Sequence, residues 1–165
     1  MKLTYQDLLG LPEDLLRHEL IDGEHYVTAA PNPEHQRVVV NLIWMVRGHL
    51  EEHPLGRVFS APLDIVLSDF DVVEPDLLYV SRDRMERYLN DRYLSAAPDL
   101  VIEVLSPSTR RRDEGVKHRL YERYGVGEYW LIDPVRDAVK VFRLVEGRLV
   151  PQAELSLQAA LRRRS

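Results

Sequence analysis

The sequence predicts an α/β (α+β) chain built on a central mixed β-sheet flanked by helices, and three observations predict it. Residues Pro33 to about His53 carry one apolar stripe at helical spacing. Leu100 to Leu105 reads as a strand that is apolar on both faces, the mark of a covered sheet. Asp22-Gly23 and Glu146-Gly147 are turn dipeptides placed between alternating segments. Helix, antiparallel strands, helix and strand in that order make a mixed α/β chain.

The elements follow in sequence. Thr4 caps a short helix that ends near Gly10, and Pro12 to Leu16 adds a further turn. Arg17 to Ala29 forms a hairpin around Asp22-Gly23. In the long helix, capped by Asn32, Val39, Leu42, Ile43, Val46 and Leu50 share one face. Arg57 to Leu67 is strand material interrupted by Pro62, and Val72 to Ser81 is a strand with Glu74, Asp76, Leu78 and Val80 on one face. A polar insertion, Arg82 to Ala97, holds a short helix. After the Leu100 strand, Asp113 to Tyr124 is helical with Val116, Leu120 and Tyr124 one turn apart, and Gly125 and Gly127 stop it. Tyr129 to Asp133 is a strand halted by Pro134, and Val139 to Leu144 with Leu149-Val150 closes the chain as a hairpin.

At 165 residues, with no linker, repeat or low-complexity run, residues 1–165 are most economically one domain. The absence of cysteine excludes disulfides, cysteine metal sites and thiol nucleophiles. Met1 to Asp7 lacks the apolar core of a signal peptide, and no apolar run approaches the ~20 residues needed to span a bilayer. A cytoplasmic protein without membrane contact is therefore expected. A net charge of −5 excludes a surface basic all over, and with it tight non-specific nucleic-acid binding. Local patches remain at Arg110-Arg111-Arg112 and Arg162-Arg163-Arg164. All but three of the 22 basic residues are Arg, whose planar fork suits phosphate, although genome composition or adaptation to heat produces the same bias.

Glu103 lies mid-strand, on the face of Val101 and Leu105, where an unpaired carboxylate costs several kcal/mol or takes up a proton. Asp76 follows Pro75, which lacks a backbone donor and so belongs at a strand start or bulge. Each acid alone is more often paired with Arg or capped by amides. If their strands are neighbours, the two can converge on one hard cation such as Mg²⁺. Lys117 lies at the border of the buried stripe of the next helix, four residues before Tyr121, where a lysine by itself would snorkel to solvent.

Glu74-Pro75-Asp76, Glu103-Val104-Leu105, Asp113 with Lys117, then Tyr121 and Gly125 to Pro134 together resemble the Uma2 family, formerly domain of unknown function 820. That family lies within the PD-(D/E)XK restriction-endonuclease-like superfamily. Leu20 to Glu24, Pro33 with His35, and Val73 to Pro134 extend the resemblance. It implies a restriction-endonuclease-like core with Asp76 in the PD position and Glu103 in the (D/E) position. Leu105 stands where the motif lysine belongs, and Lys117 on the following helix is the matching candidate. The implied chemistry is Mg²⁺- or Mn²⁺-dependent hydrolysis of DNA phosphodiesters. Asp76, Glu103 and the Val104 carbonyl would hold the ion, and Lys117 would orient water or stabilise the phosphorane oxygens. Glu34, in the first turn of the long helix, is a further candidate acid, and it equally suits the helix dipole.

His35 is a candidate ligand or proton shuttle. Asp99 is excluded as a co-ligand of Glu103, because four residues of strand separate them by about 13 Å. Asp113 caps the helix or pairs with Lys117. Arg110, Arg111 and Arg112 fall between the Glu103 strand and the Lys117 helix, either as a nucleic-acid contact or as a solvated turn. Paired cuts in duplex DNA would favour a homodimer. The alternative is a catalytically silent nuclease-fold module that binds nucleic acid or a protein partner, which the missing motif lysine and the acidic charge support.

Overall fold

The computed structural model describes residues 1–162, so Arg163 and Arg164 of the last basic run lie outside the described residues. Helix α1 (Tyr5–Leu9) starts on a Thr4–Asp7 capping box. Strands β1 (Arg17–Ile21) and β2 (Glu24–Thr28) form the expected hairpin, with Asp22 and Gly23 at φ 52° and 74°. Gly23 suits that conformation because it has no Cβ. Helix α2 (Pro33–Glu52) begins where Asn32 accepts the His35 amide, followed by β3 (Gly56–Ser60) and β4 (Asp64–Ser68). Pro12 to Leu16 is not helical: the Leu16 amide is taken by the Asp14 carboxylate.

The segment expected as one strand, Val72 to Ser81, is two. β5 (Asp71–Val73) belongs to one sheet and β6 (Leu77–Ser81) to another, and the chain crosses between them at Glu74-Pro75-Asp76. α3 (Arg82–Tyr88), β7 (Tyr93–Leu94) and β8 (Leu100–Val104) follow. The helix expected from Asp113 starts earlier and is broken, as α4 (Arg110–Glu114) and α5 (Val116–Arg123) about Gly115. Arg110 to Arg112 are thus helical, not loop. β9 (Glu128–Asp133), β10 (Ala138–Val145) and β11 (Arg148–Ser156) complete the strands, with the Glu146-Gly147 turn as expected. The short α6 (Leu157–Arg162), buried at Leu157, was not foreseen.

In place of one central sheet there are two. The first runs β2-β1-β5-β4-β7 and the second β11-β10-β9-β8-β6-β3, each mixed because β4 is parallel to β7 and β8 to β9. Leu100, Ile102 and Val104 of β8 face Val38 and Leu42 of α2 and Leu157 of α6. Val101 and Leu105 face the opposite way, into a core shared with Ile21, Ile65 and Val73 of the first sheet and with Leu120 and Tyr121 of α5. Helices thus cover one face of the second sheet, and the first sheet with α5 covers the other. At the β3–β6 seam a Cβ on Gly56 would lie 2.1 Å from the Val80 carbonyl, so only glycine lets these strands meet.

Leu42 is buried at the centre of the α2 contact with the sheet. Leu42→Ala is expected to lower unfolding stability by roughly 2–5 kcal/mol in urea denaturation, the range for deleting a buried leucine side chain.

Candidate active site

β6 and β8 are antiparallel neighbours with Leu77 opposite Ile102, so Asp76, one residue before β6, meets Glu103 and Val104 beyond the end of the ladder. The Asp76 amide donates to Glu103 Oε2 at 3.3 Å, and the Val104 amide donates to Asp76 Oδ2 at 2.8 Å. The N–H and C=O of one strand residue project to the same side, so the Val104 carbonyl also points toward Asp76, past the last β6 pairing. Two carboxylates and the Val104 main chain therefore meet where the two sheets join.

Lys117 does not snorkel. Its side chain is only 1% exposed, and its Nζ bridges Glu103 Oε1 at 2.5 Å and Glu19 Oε1 at 2.9 Å. Tyr121, one turn on, donates its hydroxyl to Glu103 Oε1 at 3.0 Å. Glu19 is fully buried on β1 and also accepts the Glu74 amide at 2.9 Å. Arg17, on the same face of that strand, donates to Asp76 Oδ1 at 3.0 Å, while His35 Nε2 lies 3.2 Å from Asp76 Oδ2. β1 therefore sets an arginine against one acid of the pair and a glutamate against the lysine. Arg17, His35, Asp76, Glu103, Val104 and Lys117 line a cleft of about 270 Å³ between the Thr28–Asn32 and Ser106–Thr109 loops.

Burial pushes Glu103 up to about 8, with Asp113, Asp76 and Glu19 adding to it against the pull of Lys117. Burial also works against ionised Asp76, but the His35 hydrogen bond and the Arg17 charge outweigh it and hold that carboxyl at about 2. Glu19 stays below its ordinary value because Lys117 and Arg112 overcome its burial. Burial disfavours the Lys117 cation, yet the Glu103, Glu19 and Asp113 carboxyls around it keep it protonated.

The structure brings Asp76, Glu103, Val104, Lys117 and His35 together. Glu34 is not brought in: it is exposed and grips Arg37 at 2.7 Å, because one helical residue rotates it about 100° away from His35, which does face the cleft. Arg110 is held by Asp133 at 2.7 Å and Arg112 by Thr28 Oγ1 at 2.6 Å, which leaves Arg111 as the exposed member of the run. Asp99 serves the far end of β8, accepting the Ser81 amide. Asp113 is buried near Lys117 without an ion pair to it. Arg17 and Glu19 carry no local signature beyond the turn of their hairpin and an acid beside Leu20 and Ile21, so the sequence pattern does not single them out.

A model of the Uma2 family, described as "Putative restriction endonuclease", matches residues 5–163. The chain belongs to the Uma2 family. A crystal structure described as a "putative nuclease belonging to DUF820" from Anabaena variabilis ATCC 29413 superposes with a TM-score of 0.77 at 20% identity, covering 96% of this chain and 97% of that one. At that identity the likeness is one of fold. An uncharacterized protein of Synechocystis sp. (strain ATCC 27184 / PCC 6803 / Kazusa) is 31% identical over 106 residues, which is 64% of this chain and 54% of that protein. The chain thus spans about half the length of the curated relative it matches. No described helix is long and apolar enough to cross a membrane. Leu105 is buried in the core, and Lys117 reaches Glu103 from α5.

Two acids of this site region destabilise the metal-free fold when ionised. Glu74, like Glu103, is raised to about 8, by burial and by the neighbouring Asp64 carboxyl. A carboxyl raised in the folded state stabilises the protein fully below its unfolded value and loses that contribution as pH rises through the folded one. In EDTA the melting temperature is therefore expected to fall between about pH 4.5 and about pH 8. Glu103→Gln should flatten that decline in a thermal denaturation series. An equally steep decline in the variant would refute the raised pKa.

Proposed function

We propose that this chain is a Mg²⁺-dependent endonuclease that hydrolyses phosphodiester bonds of DNA. The observation that carries the proposal is the Asp76–Glu103–Lys117 constellation, two buried carboxylates linked through their own backbone with a protonated lysine 2.5 Å from one of them. The donor set suits a hard cation: Asp76 and Glu103 carboxylates and the Val104 carbonyl are all oxygen. Among the described residues no group of three or more His, Cys, Asp or Glu is placed to hold a metal ion, so the proposed site rests on these two carboxylates and one carbonyl. Mg²⁺ binds through one or two carboxylates and keeps several waters.

When bound, the ion supplies positive charge that acidifies water and screens the scissile phosphate. The rest falls to the chain. Asp76 and Glu103 fix the position of that charge at the cleft floor. Lys117, fixed in its buried pocket, places an ammonium where negative charge grows on the phosphoryl oxygens as water adds to phosphorus and the P–O ester bond breaks. Arg17 and Arg112 add positive charge to the cleft wall, suited to a phosphate backbone.

Mg²⁺ or Mn²⁺ is expected to raise the melting temperature of the wild type, since a ligand of the folded state alone stabilises it. Asp76→Ala and Glu103→Gln should abolish the rise. In plasmid nicking, Lys117→Met should keep metal binding and lose roughly 10²-fold or more in rate, the effect of removing one preorganised electrostatic stabiliser. A wild type without metal-dependent cleavage of duplex DNA, single-stranded DNA or RNA would instead establish the silent binding module.

Arg110 is engaged by Asp133 and Arg112 lines the cleft, so nucleic-acid contact on the outer rim rests on the exposed Arg111. Arg111→Ala is expected to weaken DNA binding several-fold in low salt, and to lower the slope of log K against log salt by about one contact. Unchanged affinity in a fluorescence anisotropy titration would remove Arg111 from the interface.

A further inference from the structure

Glu19 holds a place that the proposed reaction has not yet used. Its carboxylate is fully buried, 98 residues from Lys117 in sequence, and one oxygen, Oε1, takes both the Lys117 ammonium and the Glu74 amide, each at 2.9 Å. The other oxygen, Oε2, has no hydrogen bond; its nearest cation is Arg112 at 3.6 Å. Lys117 stands between Glu19 and Glu103, so Glu19 is on the far side of the lysine from the Asp76–Glu103 pair. With Glu103 alone, the ammonium would form a closed, neutral buried pair. A divalent cation would then have to compete with a full positive charge at the oxygen it needs. With Glu19 present, one lysine is shared by two acids, so its charge is divided between Glu103 and Glu19, and Arg112 stands beside the second Glu19 oxygen.

We propose that Glu19 is a positioning residue that shares the Lys117 ammonium with Glu103, at 2.9 Å against 2.5 Å, and so weakens the hold of the lysine on the Glu103 carboxylate enough for a divalent cation to bind there. The inference rests on the reading that a cation binds at Asp76 and Glu103. The Glu74 amide bond makes the arrangement mechanical as well as electrostatic, because it ties the segment carrying Asp76 to the acid that holds the lysine. Glu19 contacts neither substrate nor ion. Its influence passes through Lys117.

The test is a cycle of Glu19→Gln and Lys117→Met, read as Mn²⁺ affinity by electron paramagnetic resonance on the full chain without substrate. An amide still accepts from Lys117 and from the Glu74 N–H but carries no charge. Glu19→Gln is expected to weaken Mn²⁺ binding about tenfold or more, and the same change in the Lys117→Met background is expected to have no effect, since there is no ammonium left to share. Equal weakening in both backgrounds would show that Glu19 ligates the ion itself, and no weakening in either would show that it is structural only; each overturns the proposal. If the single amide variant does not fold, Lys117→Met against the double variant carries the comparison, with equal affinities expected and a tenfold loss in the double overturning it. Wild-type protein whose Mn²⁺ binding is absent, or is untouched by Glu103→Gln, overturns the cation site and this inference together. Binding lost in Glu103→Gln but indifferent to Glu19→Gln overturns this inference alone.

Discussion

The buried ammonium of Lys117, shared by Glu19 and Glu103, is the constraint on which the molecule is organised. A lysine taken wholly out of water needs compensating charge, and a partner removed from such a group leaves a buried ion unmatched at a cost of about 3–5 kcal/mol. The three residues come from β1, β8 and α5, so satisfying the ammonium fixes the first sheet, the second sheet and the helix relative to one another. The break at Gly115 belongs to the same arrangement, since it separates α4, which carries the rim arginines, from α5, which carries the lysine to the interior.

The crossing at Glu74-Pro75-Asp76 shows how backbone and chemistry are joined. Pro75 brings no donor, and the two amides around it are taken by carboxylates, Glu74 by Glu19 and Asp76 by Glu103. Buried amides that leave a ladder must find acceptors elsewhere. Here the acceptors are the site acids, so the residues that would hold a cation also complete the backbone of the passage between sheets.

Short-range features were legible in the sequence. The β8 alternation placed Val101 and Leu105 in one core and Leu100, Ile102 and Val104 in the other, as found. The Asn32 cap and the Asp22-Gly23 turn also follow from patterns a few residues long, whereas the pairing of the Asp76 and Glu103 strands is implied only by the family resemblance. What escaped depends on distant partners. Val72 to Ser81 keeps strand periodicity throughout, and only hydrogen bonds to residues 55 and 27 positions away divide it. Glu19 and Arg17 gain their meaning from Lys117 and Asp76, which no local window contains. For Glu34 the first turn of α2 was rightly placed near the site, but the azimuth that selects His35 over Glu34 is set by how α2 packs on the sheet.

Because Glu19 and Lys117 are 98 residues apart, closing the loop between them costs on the order of 4 kcal/mol of chain entropy at first contact. Local hairpins and α2 form without that cost, whereas the charged centre cannot exist until β1, β8 and α5 are all in place. During synthesis the ribosome must therefore release α5 before the acids gathered here can meet. A nascent chain stalled before α5 emerges has no assembled centre, so the charged cluster closes only once β1, β8 and α5 are all outside the ribosome.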